Sequence, residues 1–430
     1  MREETEVILT KVMLVGVDTG EEEDFEHSME ELKSLAEACN KQVVGIITQK
    51  MEAVNNAYYI GSGKVTEVKE FAAECEAEEV IFDNTLSPTQ MRNLGKLLEL
   101  PVLDRTNLIL DIFAIRAKTR EAKLQVETAR LQYMLPRLVG MRESLGRQGG
   151  ASGSLSNKGA GEKKLELDRR KIEHRISELR KELEEISGNR VTQRKRRSAS
   201  RIPQVALVGY TNAGKSTIMN HMVRRYGEKP EKTVLEKDML FATLETSVRS
   251  IETGDNKPFF LVDTVGFIHK LPHGLVKAFQ STLEEVKYAD LLVQVVDYSD
   301  ENYKQHMEVT AQTLKELDAG DIPMLVVYNK ADRCGMDDLP KVWNNQIHMS
   351  ALNDVGLDEL IALIKDNVYA GNEDCCFLIP YDKGNVVSYF MDNATVLETR
   401  YLENGIWIRV NCHSQDAAKY GIFICKEAIS

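Results

Sequence analysis

The sequence predicts a multidomain α/β protein: an N-terminal α/β domain, a helical hairpin, a second α/β domain with a mainly parallel sheet, and a small C-terminal α+β domain. Three observations predict it. Runs rich in Val, Ile and Leu alternate with amphipathic stretches through residue 115, and again from Ile202 to about residue 370. That is the pattern of strand–helix units around a parallel sheet. Between the two regions the strand signals vanish and leucines recur at helical spacing. Finally, 430 residues exceed what one hydrophobic core holds, at roughly 100–200 residues per domain.

In chain order, residues 7–17 (VILTKVMLVGV) read as a buried strand, followed by a helix over Glu26–Ala38. Residues 42–48 (QVVGIIT) and Val80–Asp83 are further strands, with a helix over Lys64–Glu78 between them. Ser87-Pro88 reads as a helix start. The serine oxygen can accept from a first-turn N–H, and proline has no N–H to lose there. Pro101–Leu103 is a short strand, and this domain is assigned to 1–115.

In 116–189, Leu124, Leu131, Leu135 and Leu138 fall on one helical stripe. Leu165, Ile172, Ile176, Leu179, Leu183 and Ile186 then repeat with seven-residue periodicity. Two stripes joined by Gly146 to Gly161 (GRQGGASGSLSNKGAG) predict an antiparallel hairpin. A tip so rich in Gly and Ser cannot bury a core and is expected to be mobile when free. Residues 190–201 (RVTQRKRRSASR) form a basic linker to the domain at 202–370. The tail, 371–430, contains alternating or strand-like segments, NVVSYF and GIWIRVN.

Bulk properties exclude several classes. Hydrophobic content of 43% and charged content of 28% are ordinary for a globular protein. The net charge of −12 excludes a uniformly basic nucleic-acid coat but leaves room for a local basic patch. No apolar run approaches the ~20 residues that span a bilayer, so membrane insertion is not expected. The N-terminus lacks the basic stretch, apolar core and small-residue site of a secretory signal. Seven cysteines, an odd number without zinc-ribbon spacing, suit a reducing cytosol. The expected location is cytoplasmic, and a monomer is the favoured state.

The chemistry concentrates after the apolar run 202–208. Gly209-Tyr210-Thr211-Asn212-Ala213-Gly214-Lys215-Ser216-Thr217 contains G-x-x-x-x-G-K-[ST] between a strand and a helix. Its glycines let backbone N–H groups turn inward to phosphate oxygens, and the following helix N-terminus adds positive potential. Lys215 is expected at the β- and γ-phosphates and Ser216 on Mg²⁺.

The strand Leu325–Tyr328 leads into Asn329-Lys330-Ala331-Asp332, which resembles the guanine-recognition motif of translation-factor GTPases. A carboxylate at Asp332 accepts from guanine N1–H and the 2-amino group. Adenine has neither donor and would leave the acid unpaired. Asn329 is expected to brace the phosphate loop and the base, and Lys330 to pack over the ring. A backbone N–H of Ser350-Ala351, after a strand at Gln346–His348, is expected at guanine O6.

Phe259–Val262 ends in Asp263-Thr264-Val265-Gly266, which resembles the DxxG of switch II. Asp263 would hold Mg²⁺ through water, and the Gly266 N–H would bond the γ-phosphate. Thr243, in Leu240-Phe241-Ala242-Thr243, is the expected switch I threonine, seeing both Mg²⁺ and the γ-phosphate. Lys215, Thr243 and Gly266 are thus the expected catalytic set; Ser216, Thr243 and Asp263 are the metal set. This makes 202–370 a P-loop GTPase domain with GTP/GDP and Mg²⁺ as its ligands. Phe267 stands where many GTPases carry the glutamine that orients water, so water must be positioned by another group. Asn212 is a candidate ligand for K⁺ against the phosphates, with bonding to its own loop the plain alternative.

The flanks carry a family resemblance. YYIGSGK (58–64), DRTNLILDIF (104–113), LQYMLPRL (131–138) and KLELDRR (164–170) resemble signatures of the HflX family of GTPases. GYTNAGKST, LFATL and DTVGFI fit the same family. The resemblance covers some 370 residues and is weakest in the tail. It implies a GTPase that binds the large ribosomal subunit and its rRNA when loaded with GTP and splits ribosomes under stress. Arg137, Arg142, Arg147 and Lys158 place positive charge at or near the hairpin tip, and Arg194, Lys195, Arg196 and Arg197 add a second cluster; each is suited to pair with backbone phosphate. Family members have been linked to ATP through the N-terminal domain. YIGSGK is shorter than a phosphate loop, however, and reads as a structural turn.

The tip departs from the family pattern. Ala160 stands in place of the proline of its Gly-Pro-Gly-Glu turn, and the middle lacks the usual arginine. A looser tip costs more entropy to order on RNA. This leaves open an alternative: a ribosome-binding antibiotic-resistance or rRNA-contacting paralogue in which occupancy, not hydrolysis, acts.

Overall fold

The computed structural model describes residues 9–20, 24–147, 166–186, 188, 202–227, 240–241, 246–270, 285–336 and 338–425, with the side chains of 138–147 excepted. The predicted Gly/Ser tip, the basic linker and Thr243 therefore lie outside the described residues. The chain divides into two compact units. One holds 1–194 together with 237–245 and 268–281; the other holds the remainder.

The first unit is built on a four-stranded parallel sheet, order β2-β1-β3-β4. Its strands are β1 (Thr10–Asp18), β2 (Lys41–Lys50), β3 (Glu79–Phe82) and β4 (Val102–Asp104). Helices α1 (Phe25–Ala38), α2 (Ser62–Glu74), α3 (Pro88–Leu98) and α4 (Arg105–Arg116) connect and follow them. The strands form because Met13, Val15, Val80 and Phe82 can all be withdrawn from water, with Val65, Val68 and Leu94 packed against them. The start of α3 is as the sequence predicts. Ser87 Oγ accepts from Gln90 N–H, and the Gln90 side chain accepts from Ser87 N–H. YIGSGK leads into α2: Ile60 is buried, Gly61 is the cap residue, and its N–H donates to Gln49 Oε1 at 2.9 Å.

Helix α5 (Arg120–Arg147) pairs with a helix at 166–186, α6. Arg120 bonds Glu182 and Arg175 bonds Glu127. One partner's number rises as the other's falls, so the pair is antiparallel. Leu124, Ile176 and Leu179 are buried in this unit. Arg137 corrects the expectation of a positive charge free at the tip. Its guanidinium lies 3.2 Å over the Tyr133 ring and donates to the Leu86 carbonyl at 3.0 Å and to Asp104 at 3.3 Å. The reason is the fully buried Asp104 carboxylate, which needs donors and draws Arg137, Tyr133 Oη and the Leu86 N–H onto itself.

The second unit carries a seven-stranded sheet, order β10-β11-β9-β8-β5-β7-β6. Its strands are β5 (Gln204–Val208), β6 (Ser247–Ile251), β7 (Phe259–Asp263), β8 (Leu291–Asp297), β9 (Met324–Asn329), β10 (Lys341–Trp343) and β11 (Gln346–His348). Only the outermost strands β6 and β10 run antiparallel to their neighbours. Helices α7 (Lys215–Tyr226), α8 (Tyr303–Glu316) and α9 (Leu357–Val368) belong to this unit, and α7 and α9 share its main apolar core with β5, β8 and β9. The tail forms an antiparallel sheet β12 (Asn372–Ile379), β14 (Gly405–His413) and β13 (Thr395–Leu402), with α10 (Gly384–Asn393) and α11 (Ser414–Lys419). GIWIRVN lies on β14 as expected. NVVSYF does not form a strand: it lies within α10, because Val386 and Phe390, four apart, bury together against Phe377 and Ile408. Among the described residues no helix is long and apolar enough to cross a membrane.

Candidate functional site

Strand β5 ends at Val208 and the chain turns sharply at Gly209, whose φ is +139°. A Cβ there would run into the Val295 carbonyl of β8, so only glycine permits the turn. Gly214, at φ +100°, begins α7, and its Cβ would collide with the Asn329 amide. Asn212 sits exposed on the loop in the left-handed region at φ +59°. Ala213 is buried, and Ser216 and Thr217 occupy the first turn of α7.

Lys215 lies under its own loop. Its Nζ donates to the carbonyls of Gly209 at 3.0 Å and Tyr210 at 2.7 Å. Burial pushes its pKa down to about 8, against Asp263, which favours the charged form. Ser216 Oγ donates to Asp263 Oδ2 at 2.8 Å, with Asp263 fully buried at the end of β7. These are hard oxygen donors, the chemistry that suits Mg²⁺.

Gly266 lies so close to the loop that a Cβ would approach Thr211 Cα at 2.7 Å and Lys215 Nζ at 3.0 Å. The next residue locks on: Phe267 N–H donates to the Gly209 carbonyl at 3.1 Å, and Thr211 N–H donates to the Phe267 carbonyl at 2.8 Å. The Phe267 side chain is only 2% exposed. It is buried in the position where many GTPases carry a water-orienting glutamine.

At the other end of the site, Asn329 closes β9. Its Nδ2 donates to the Ala213 carbonyl and its Oδ1 accepts from Ala351 N–H, both at 2.9 Å. One amide therefore braces the phosphate loop against the Ser350-Ala351 loop, both of whose residues are buried. Ser350 Oγ and Thr211 Oγ1 are buried and have no hydrogen-bond partner among the described residues. Lys330, in the left-handed region, donates to Asp297 Oδ2 at 2.6 Å. Asp332 is exposed and accepts from Asn353 Nδ2 at 3.2 Å.

All the residues predicted for the nucleotide site except Thr243 are thus described, and they gather at one edge of the sheet, beyond the C-terminal ends of β5, β7, β9 and β11. That is where an open α/β sheet takes its ligand. Sequence reasoning missed the stacking of Tyr210 on buried His306, with centroids 3.8 Å apart and planes 11° apart. It also missed the Asp297–Lys330 pair. Neither has a motif; only the strand-end position of Asp297, as on β7, hinted at a role.

A phosphate loop, a DxxG strand end and an NKxD strand end on one sheet edge define a P-loop guanine-nucleotide-binding protein. Known proteins agree in detail. Residues 26–114 match the family described as GTP-binding GTPase N-terminal, 116–197 GTP-binding GTPase Middle Region, and 204–330 50S ribosome-binding GTPase. The chain is 42% identical to the GTPase HflX of Caldanaerobacter subterraneus subsp. tengcongensis, over 94% of this chain and 92% of that one. It is 38% identical to the GTPase HflX of Escherichia coli K12 over 88% of each. Among solved structures, a GTP-binding protein of Sulfolobus solfataricus in complex with GDP aligns at 25% identity over 84% of this chain and 99% of that one, with a TM-score of 0.43. The chain belongs to the HflX family of GTPases, and its activity is GTP hydrolysis.

Proposed function

We propose that this GTPase is a switch acting on the large ribosomal subunit: the GTP-bound form grips the subunit, contacts its rRNA and splits ribosomes under stress, and hydrolysis releases it. The observation that carries the reading is the match of 204–330 to a 50S ribosome-binding GTPase, in a chain whose phosphate loop and DxxG strand end are in place.

The site residues take these roles. The Gly209–Thr217 loop cradles the phosphates, and Lys215 exchanges its two carbonyl partners for phosphate oxygens. Asn329 holds the loop while Asp332 reads the guanine edge, Lys330 covers the ring, and a backbone N–H of Ser350-Ala351 exchanges its present acceptor for O6. Ser216, Asp263 and Thr243 hold Mg²⁺, which when bound neutralises charge on the β- and γ-phosphates. The Gly266 N–H bonds the γ-phosphate. Asn212, exposed on the loop, is the ligand proposed for K⁺, and equal turnover in potassium and sodium would remove that role. The proposed division of the chain is 1–115, 116–189, 190–201, 202–370 and 371–430.

Gradient sedimentation of purified ribosomes tests the reading. The expected result is a shift from 70S particles to subunits, with the protein on the large subunit in a non-hydrolysable GTP analogue and not in GDP. Absence of association in both states would leave a GTPase without this target.

A further inference from the structure

GTP hydrolysis needs a group that orients water, and Phe267 has no side-chain atom that can do so. Its backbone is committed as well, to the Gly209 carbonyl and the Thr211 N–H. A side chain that both donates and accepts must come from elsewhere in the site.

Two hydroxyls there are buried without a hydrogen-bond partner among the described residues, Ser350 Oγ and Thr211 Oγ1. Ser350 adjoins Ala351, whose N–H meets Asn329, and so lies at the base end. Thr211 lies at the phosphate end. A Cβ on Gly266 would approach Thr211 Cγ2 at 2.9 Å and Lys215 Nζ at 3.0 Å, so the threonine side chain and the ammonium flank one point of Gly266. Lys215 and Gly266 are the residues assigned to the γ-phosphate, which sets Thr211 beside the phosphoryl group that reacts.

The residue is also held in place. Tyr210, just before it, stacks on His306 of α8. Thr211 N–H donates to the Phe267 carbonyl at 2.8 Å, and the residue is 6% exposed. A β-branched side chain has a single stiff torsion to fix, so little freedom is lost when it meets a ligand. The hydroxyl meanwhile costs the free protein stability. It has given up water and gained no bond in return, whereas valine would fill much the same shape without that cost. A hydroxyl at this position points to a partner that arrives with the nucleotide.

We infer that Thr211 is a catalytic residue of GTP hydrolysis: its Oγ1 donates to a γ-phosphoryl oxygen and accepts from the attacking water, the two capacities that Phe267 lacks. One O–H donor and two lone pairs suffice for both contacts. The water oxygen bonds to the γ-phosphorus as the bond from that phosphorus to the bridging oxygen breaks. The water's proton leaves with the phosphate, and Thr211 ends the step as the neutral hydroxyl it began as. This role rests on GTP hydrolysis and on the phosphate contacts proposed for Lys215 and Gly266. It does not rest on the ribosomal target, so failure of the sedimentation experiment leaves it standing.

The test uses the full chain. It measures kcat and KM for GTP, affinities for GDP and a non-hydrolysable GTP analogue, and denaturant unfolding without nucleotide. Thr211→Val removes the hydroxyl and keeps the branched shape. It is expected to lower kcat about tenfold or more. The ratio of analogue to GDP affinity should fall about threefold or more, with GDP affinity itself within about twofold. Without nucleotide the variant should be at least as resistant to denaturant as the parent. Thr211→Ser keeps the hydroxyl and should hold kcat within about threefold of the parent. A kcat or an affinity ratio within about twofold of the parent in Thr211→Val would overturn the role. So would a Thr211→Ser as slow as Thr211→Val, because the methyl group would then be what matters. A nucleotide-free Thr211→Val that unfolds more readily would overturn it too, by showing that the hydroxyl serves the fold. Lys215→Ala separates the two levels of the reading and is expected to lose affinity for both nucleotides. Parent affinity there would overturn the phosphate contacts and the Thr211 role together, whereas an unchanged Thr211→Val beside a disabled Lys215→Ala would overturn the Thr211 role alone.

Discussion

The Lys215 ammonium is enclosed by the loop that is to hold phosphate, and two carbonyls do not replace its full hydration. Its pKa in the free protein is therefore about 8. A bound phosphate favours the charged form and raises it. Below about pH 8 the lysine is already charged and nucleotide affinity has its full value. Above that pH, binding must take up a proton, so affinity falls by at most about tenfold per pH unit until the bound-state pKa is reached. GDP affinity measured between about pH 6.5 and 8.8 at fixed ionic strength should be level and then decline; a level profile throughout would mean the lysine stays charged in the free loop. Asp332 makes a different prediction. Replacing its carboxylate with an amide, Asp332→Asn, leaves one neutral oxygen to accept from guanine N1–H but sets an NH₂ donor against the 2-amino group, and that donor suits the 2-oxo group of xanthine. Two charge-assisted hydrogen bonds at ~1.5–3 kcal/mol each put the loss of GTP affinity on the order of 10²-fold or more, with a gain for xanthine nucleotides. Titration with fluorescent guanine and xanthine nucleotides checks it, and unchanged preference would remove Asp332 from base recognition.

Among elements, the junction of β4, α4 and α5 hangs on Asp104. Its carboxylate caps α4 through Asn107 N–H at 2.9 Å, accepts Leu86 N–H at 2.9 Å and Tyr133 Oη at 2.6 Å, and faces Arg137. Asp104→Ala leaves two N–H groups, a hydroxyl and a guanidinium short of an acceptor, so a loss of about 3–5 kcal/mol is expected in denaturant unfolding of the first unit. A loss under about 1 kcal/mol would show the cluster to be ornamental to stability. These junctions also mark where sequence reasoning stops. Strands β1, β3, β5 and β9 were legible because burial on both faces demands unbroken apolar runs, and α3 because Ser-Pro encodes its own start. The phosphate loop and NKAD were legible because phosphate and guanine impose fixed spacings on neighbouring residues. NVVSYF was misread because β-branched residues mimic a strand when a helix happens to bury positions four apart. Arg137 was misread because its partner, Asp104, lies 33 residues away. Lys270 forms an ion pair with Asp83, 187 residues away, and nothing local in either stretch announces the other.

For the whole molecule, the two compact units make ligand binding a probe of cooperativity. The phosphate loop, Asp263, Gly266, Asn329 and Asp332 all belong to the second unit, while segments 237–245 and 268–281 belong to the first. A nucleotide that binds only the folded second unit stabilises it by RT ln(1 + [L]/Kd), about 2.7 kcal/mol at a hundredfold excess over Kd. If the units unfold independently, calorimetry shows two transitions and GDP raises only one. The interleaved switch segments argue for a different outcome. The chain passes between the units at each border of those segments, and unfolding the second unit releases both ends of each. GDP at a hundredfold excess is therefore expected to raise the transition of the first unit as well. Cysteine or fluorophore probes placed in each unit assign the transitions. A first unit whose melting ignores GDP would show that the switch segments carry no free energy between the two.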